Sequence, residues 1–375
     1  MQTCNYSNEC SGCPNFSLPI EMQKESKVLH LYQLAKDADI DLGRVSYQFV
    51  KSIESRDRVD FSVRWDEKSQ KSTAGFFDRS KMMLLDIEKC VQLTPNLQNW
   101  YELFRAKLPR VDKLSVRLRV SPVGERGVWL DTSNLNIKKL LEERVYLDWL
   151  LSVSKVEIGQ KRKRLVVKGE KLKLVDPQAA SWWQSFIGDE LKPANLKCLI
   201  GGFTQTGFEN NKMLVGALIN EVPSSSRVLE LCGGIGNLGL ALASCGSKVI
   251  SLEMDRSAVV IANENSKNLG LAEQYNSIFC NIHKKSADLL NYFKETDVMV
   301  VDPPRSGLKA SLDILESLND LDKPKKIIYM SCHGKSLVGD LQRLVQQGYK
   351  IIKTQALDQF VGSEHCEYLV TLDKI

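Results

Sequence analysis

The chain lacks any long apolar run. Nothing in its 375 residues approaches the roughly 18–20 consecutive apolar residues that span a bilayer, so no membrane-spanning helix is expected. The first residues, "MQTCNYSNECSGCPNFSLPI", contain neither a basic n-region nor an apolar h-region. No secretory signal is therefore read there, and the cytoplasm is the expected location. Internal repeats and low-complexity linkers are also missing. Extremes of composition are absent as well: 43% hydrophobic and 26% charged residues exclude the disordered and collagen-like classes. A strong charge of one sign is lacking too. A net charge of +5 permits a polyanionic partner without requiring one.

The length is enough for two or three domains with real cores. Ten cysteines are present, but they do not form the evenly spread set of a disulfide framework. Cys4, Cys10 and Cys13 crowd the first turns, Cys90 stands apart, and six lie in the second half.

The pattern changes near residue 200. After it, short apolar segments alternate with amphipathic ones: "SRVLELC", "SKVISLE", "YNSIFCN", "DVMVVD" and "KKIIYMS" read as strands separated by helices. Near-continuous apolar strands of this kind imply a parallel sheet covered on both faces. "GYKIIKTQALD" and "EHCEYLVTLDKI" read as a terminal hairpin at the edge of that sheet. Before residue 200, "DRVDFSVRW", "KLSVRLRV", "GVWLD" and "LVVKGEKLKLV" alternate apolar and polar residues, as half-exposed antiparallel strands do. The expected fold class is α/β. A Rossmann-like doubly wound domain over residues 197–375 comes after an α+β accessory region over residues 1–196.

Three motifs carry chemistry. In "VLELCGGIGNLGL" a strand runs into Gly233, Gly234 and Gly236, which let the backbone approach a ligand closely at a helix N-terminus. Glu253 ends the next strand, where a carboxylate can take a ribose diol. This fits a dinucleotide or S-adenosylmethionine, and the spacing from Glu230 to the glycines suits the latter better. "VVDPPRSGL" places Asp302 at a strand's carboxyl end, where open α/β sheets bind ligands, and two prolines stiffen the loop. "YMSCHGKSL" places Cys332 on the same edge of the sheet, and Glu367 lies where the terminal hairpin returns.

A thiolate and a carboxylate beside a methyl donor have a specific use. Uracil C5 is too weak a nucleophile to take a methyl group directly. Addition of a cysteine thiolate to C6 gives an enolate whose C5 can attack the methylsulfonium. A base must then remove the C5 proton so that the thiolate is eliminated, and Cys332 and Glu367 are the candidates for the two roles.

"VDPPRSGL", "YMSCHGKSL" and "EHCEYLVTL" resemble the signature elements of the RNA uracil-C5 methyltransferase family, in the same order over about 175 residues. The resemblance implies an S-adenosylmethionine-dependent catalytic domain with Cys332 as nucleophile and Glu367 as base. "FTQTGF" is similar to the family's "FFQ-x-N", which gives Gln205 a cofactor contact. The same matching puts Cys232, Gly234, Gly236, Asn237, Glu253 and Asp302 around the cofactor. Three departures stand out: "CHG" (His333, Gly334) for the family's "CNP", Cys232 where an aromatic is common, and "QFVGS" ahead of the base.

Cys4, Cys10, Cys13 and Cys90 resemble the iron–sulfur site of several family members and imply a [4Fe–4S] cluster, with zinc the second choice. That role is structural or helps hold RNA, since the methyl-transfer scheme has no use for a cluster. "GQKRKR" (159–164) reads as a phosphate-contacting turn or a solvated hairpin. Trp182 and Trp183 read as core or as platforms for splayed bases. Cysteines from residue 4 leave no room for the small β-barrel TRAM domain of larger relatives. The resemblance therefore implies the short 23S rRNA (uracil-C5) enzymes, acting as monomers. A tRNA uridine-54 enzyme, an RNA cytosine-C5 enzyme and an inactive iron–sulfur RNA-binding protein are the alternatives.

Overall fold

The computed structural model describes residues 4–132, 137–159, 163–168, 170–284, 287–308 and 310–375. After a turn-rich segment carrying Cys4, Cys10 and Cys13 come helix α1 (Ile20–Asp37) and strand β1 (Val45–Phe49). The accessory region comes next, with β2 (Arg58–Asp66), β3 (Lys71–Gly75), α2 (Pro95–Arg105), β4 (Leu114–Val120), β5 (Arg126–Asp131), α3 (Ile137–Glu142), α4 (Arg144–Val153), β6 (Lys155–Ile158), β7 (Lys163–Lys168) and β8 (Lys171–Val175). A hairpin of β9 (Ala180–Ile187) and β10 (Lys192–Cys198) links it to the C-terminal half. That half contains α5 (Phe208–Ile219), β11 (Arg227–Leu231), α6 (Gly239–Ser244), β12 (Lys248–Glu253), α7 (Arg256–Asn268), β13 (Tyr275–Phe279), α8 (Ala287–Lys294), β14 (Val298–Val301), α9 (Ala310–Glu316), β15 (Lys326–Ser331), α10 (Gly334–Gln346), β16 (Tyr349–Asp358) and β17 (Glu367–Lys374).

Two main sheets result. The accessory strands form a sheet in the order β3-β2-β4-β5-β6-β7-β8, mostly antiparallel, and the alternation in β2 and β4 buries one face against α2 and α4. The larger sheet runs β1-β16-β17-β15-β14-β11-β12-β13. Its strands are parallel except for β17, which pairs antiparallel with both β15 and β16. β14 is apolar and buried throughout, as a central strand covered on both faces must be. Strand order reverses between β11 and β14, so a crevice opens at their carboxyl ends.

Residues 20–49 differ from the sequence reading, which groups them with the accessory region. β1 pairs in parallel with β16, and α1 buries Leu31 and Ala35 in the core of the large sheet. The terminal hairpin therefore does not form the outer edge; β1 covers it and satisfies its free backbone groups. Trp182 and Trp183 are core residues, 1% and 2% exposed, so they offer no face to a base. In "GQKRKR", residues 160–162 lie outside the described residues. Lys163 and Arg164 sit on β7, with Lys163 paired to Asp176. No helix among the described residues is long and apolar enough to cross a membrane.

Candidate active site

The glycine turn after β11 is shaped from within. Glu230, 2% exposed, accepts a hydrogen bond from Gly239 N at 2.9 Å and so ties the strand to the start of α6. A Cβ at Gly233 would stand 1.9 Å from Ser251 Oγ and 2.4 Å from Glu230 Oε2, so only glycine fits. Burial pushes the Glu230 carboxyl up to about 7. Cys232 occupies the left-handed region at φ 66°, a conformation that costs a non-glycine residue energy. Burial, together with the nearby Glu253 and Asp302, pushes its thiol up to about 12.

At the end of β12, Glu253 accepts from Gly234 N at 2.9 Å through one oxygen. Its other oxygen accepts from Met254 N and Asp255 N at 2.6 and 2.7 Å. Three amides therefore aim this carboxylate across the turn. Asn237 is committed to the scaffold: its Oδ1 accepts from Trp183 Nε1 and Asn211 Nδ2, both at 2.9 Å, and its amide donates to Asn211. It ties the turn to β9 and α5.

The loop before α5 carries Gln205 and is held by arginines of the accessory sheet. Arg58 donates to Thr204 O at 2.8 Å, Arg117 to Gly201 O at 2.8 Å, and Arg119 to Gly202 O at 3.0 Å. Gln205 is 8% exposed and donates a long hydrogen bond, 3.5 Å, to Asp302 Oδ2. Asp302 lies just past β14, and burial followed by the Glu230 charge pushes its carboxyl up to about 7.

Cys332 comes directly after β15 and is half-buried. Its thiol is raised by burial and then by Glu367 and Asp302, while the Arg305 guanidinium lowers it. These relations place Cys332, Glu367 and Asp302 close enough to act on one another's charge. Glu367, 2% exposed, begins β17; burial and the Asp302 charge raise its carboxyl well above the ordinary range. His333 is the N-cap of α10, its ring accepting from Ser336 N at 3.3 Å. Its neighbour Gly334 packs against α1, where an added Cβ would lie 3.1 Å from Leu34. The "CHG" departure thus caps a helix and admits α1.

Two residues of this site were not singled out from the sequence. Arg305, within "DPPRSGL", faces the thiol. Gln359, in the departing "QFVGS" segment, donates to Glu367 Oε2 at 2.9 Å and to Gln205 Oε1 at 3.0 Å.

The segment carrying the early cysteines touches the supports of this site. Ser11 N donates to Phe77 O at 3.0 Å and Asn15 N to Gly362 O at 2.8 Å, so the segment is clamped between the loop after β3 and the β16–β17 connection. Cys13 is pushed up to about 12, first by burial, with Cys90, Cys10 and Cys4 adding to it; Arg56 opposes them. Among the described residues, no group of three or more His, Cys, Asp or Glu side chains is spaced to hold a metal ion.

The chain is similar to several known proteins. Residues 192–375 match the family model described as tRNA (Uracil-5-)-methyltransferase. An uncharacterised RNA methyltransferase of Bdellovibrio bacteriovorus is 32% identical over 99% of this chain and 95% of its own length. A 23S rRNA (uracil(1939)-C(5))-methyltransferase of Marinomonas sp. is 28% identical over 99% of this chain and 80% of its own. The fold is similar to that of Pyrococcus abyssi tRNA (uracil-54, C5)-methyltransferase in complex with S-adenosyl-L-homocysteine. The TM-score is 0.66 at 18% identity, covering 97% of this chain and 86% of that one. The chain belongs to the RNA uracil-C5 methyltransferase family and is an S-adenosylmethionine-dependent enzyme of that family.

Proposed function

We propose that this enzyme methylates C5 of a uridine in 23S rRNA, with Cys332 adding to C6 and Glu367 removing the C5 proton. The observation that carries the reading is the convergence of a half-buried thiol and two buried carboxylates at the carboxyl edge of one sheet. A methylsulfonium supplies the electrophilic carbon. Asp302, Gln205, Glu253 and the turn at Cys232, Gly234, Gly236 and Asn237 form its pocket, where the anionic side chains favour a cationic cofactor. Arg305 stabilises the Cys332 thiolate for attack. After methyl transfer, Glu367 takes the proton from C5 and the C6–sulfur bond breaks, returning the thiolate. The preference for 23S rRNA is supported by the names of the full-length relatives. The uridine must leave its stack to reach Cys332, so a loop or opened strand is the target.

Cys4, Cys10, Cys13 and Cys90 would hold the [4Fe–4S] cluster, or zinc in its place. The donor set fits in kind: four soft thiols are gathered here, with Cys4 and Cys10 raising both Cys13 and Cys90. Its contribution is structural: it would pin the segment that braces Gly362 and the connection leading to Glu367.

The test is to map 5-methyluridine in 23S rRNA and tRNA from a strain lacking the gene and from one expressing Cys332→Ala. Loss of one 5-methyluridine from 23S rRNA in both strains is expected. Loss from tRNA alone, or 5-methylcytidine loss, would overturn the substrate assignment.

A further inference from the structure

Gln359 is 2% exposed and uses both its amide hydrogens and its carbonyl oxygen. Nε2 donates to Glu367 Oε2 at 2.9 Å and to Gln205 Oε1 at 3.0 Å, while Oε1 is paired with Thr206 Oγ1 at 3.2 Å. A carboxylate and an amide oxygen can only accept, so the amide has one orientation, and a flip would set oxygen against oxygen twice. Gln205 has its own orientation fixed in turn, because its Nε2 donates to Asp302. Two amides thus form a directed chain with a carboxylate at each end. One end is the base, and the other lies in the cofactor pocket. Backbone contacts fix the chain's middle: Asn210 Nδ2 donates to Gln359 O at 3.5 Å, and Asp358 beside it is locked by Lys27.

We propose that Gln359 is a positioning residue for the elimination step, aiming the Glu367 carboxylate at the C5 proton and tying that aim to the cofactor loop through Gln205. The inference rests on the assignment of Glu367 as base. A buried carboxylate without this donor has two ways to compensate, rotation or retention of a proton, and each stops it abstracting one. The titratable groups facing Glu367 are Asp302, Cys332, Cys366 and Tyr368. None of them replaces the lost donor when ionised. The Gln359 amide is therefore the neutral group that favours the charged form of the base. Steps before elimination, thiol addition and methyl transfer, do not use Glu367 and proceed without the hydrogen bond.

The experiment uses the full-length enzyme, methyl-tritiated S-adenosylmethionine and total RNA from a strain lacking the gene. Protein–RNA adducts are tracked on denaturing gels for wild type, Gln359→Met, Gln359→Glu, Glu367→Gln and Cys332→Ala. Both Gln359 variants keep the side-chain length, and Gln359→Glu keeps an acceptor for Thr206, so one serves if the other fails to fold. The expected result is a methyl-labelled adduct that decays at least tenfold more slowly than in wild type, with KM for the cofactor within threefold. The acid limb of the decay rate should also move to higher pH. Glu367→Gln accumulates the same adduct and Cys332→Ala forms none. Wild-type decay, or lost activity without adduct in Gln359 variants while Glu367→Gln accumulates it, would overturn the positioning role and leave the base assignment standing. Absence of adduct in Glu367→Gln would overturn both.

Discussion

Lys27 Nζ lies 2.5 Å from Asp358 Oδ2, with both side chains almost wholly buried and 331 residues apart in sequence. Tyr47 OH donates to the same oxygen at 2.5 Å and Phe360 N to the other at 2.9 Å. The N-terminal helix and the edge strand β1 are thereby fastened to the residue beside Gln359. A well-satisfied buried pair of this kind offsets its desolvation cost, whereas half of one does not.

Lys27→Met should therefore destabilise the protein by about 3–5 kcal/mol, because it leaves the Asp358 charge uncompensated. Lys27→Met combined with Asp358→Asn should recover a large part of that loss. Denaturant midpoints of the two variants and wild type check this. Equal stability of the single and double variants would refute it.

With Glu367 as the proposed base and Cys332 as the proposed nucleophile, the pH dependence of turnover should follow their raised pKa values. A base with an ordinary glutamate pKa is ionised above about pH 5 and gives a flat profile beyond it. Glu367 is raised by burial and Asp302, and the Cys332 thiol is raised too, so both active forms become more populated as pH rises. Turnover at saturating cofactor should keep climbing above about pH 6 rather than level off near 5. A plateau already reached at pH 6 would contradict it.

Stability of the cofactor-free protein should run the other way. Glu230 and Asp302 each have a folded-state pKa raised to about 7, above the unfolded value. The stability they contribute is complete below about pH 4 and is lost as pH rises through 7. Glu230→Gln cannot ionise and should flatten this slope, removing on the order of 3 kcal/mol of the difference between pH 4 and pH 8. Urea midpoints at the two pH values measure it, and an unchanged slope would refute the assignment.

Arg119 is 1% exposed and donates to Gly202 O, Thr204 Oγ1 and Cys198 Sγ. Arg119→Met should free the loop carrying Gln205 and weaken S-adenosylmethionine binding by roughly tenfold, about 1.4 kcal/mol. Calorimetric titration with the cofactor reads this directly. Unchanged affinity in a folded variant would show that the loop holds itself.

Anaerobic reconstitution with iron and sulfide should load the wild-type chain and fail in Cys13→Ser. Iron and sulfide analysis decides it, and zinc alone in the purified protein would assign the site to zinc. Loading should raise the melting temperature by several degrees, because a bound group would add bonds to the segment already joined to Gly362.

The doubly wound domain was legible in the sequence because its signals are local. The apolar run of β14 and the glycine turn after β11 are each set by a few neighbouring residues. Cys332 and Glu367 could be paired as candidates from the sequence, since thiolate, carboxylate and methyl donor answer one need of uracil. Gln359 was not. Its partners Gln205 and Glu367 lie 154 and 8 residues away, and its segment stood out only as a departure from a motif. His333 stood out only as part of the "CHG" departure, and α10 shows it to be a helix cap.

Hydrophobic period, turn residues and reactive side chains are properties of short stretches, so the linear chain alone specifies the elements and the reaction. Three-dimensional packing selects which edge α1 and β1 cover, which faces Trp182 and Trp183 turn inward, and which neutral amide meets the Glu367 carboxylate. Those depend on the pairing of residues hundreds of positions apart, where packing and burial, rather than local preference, select the partner.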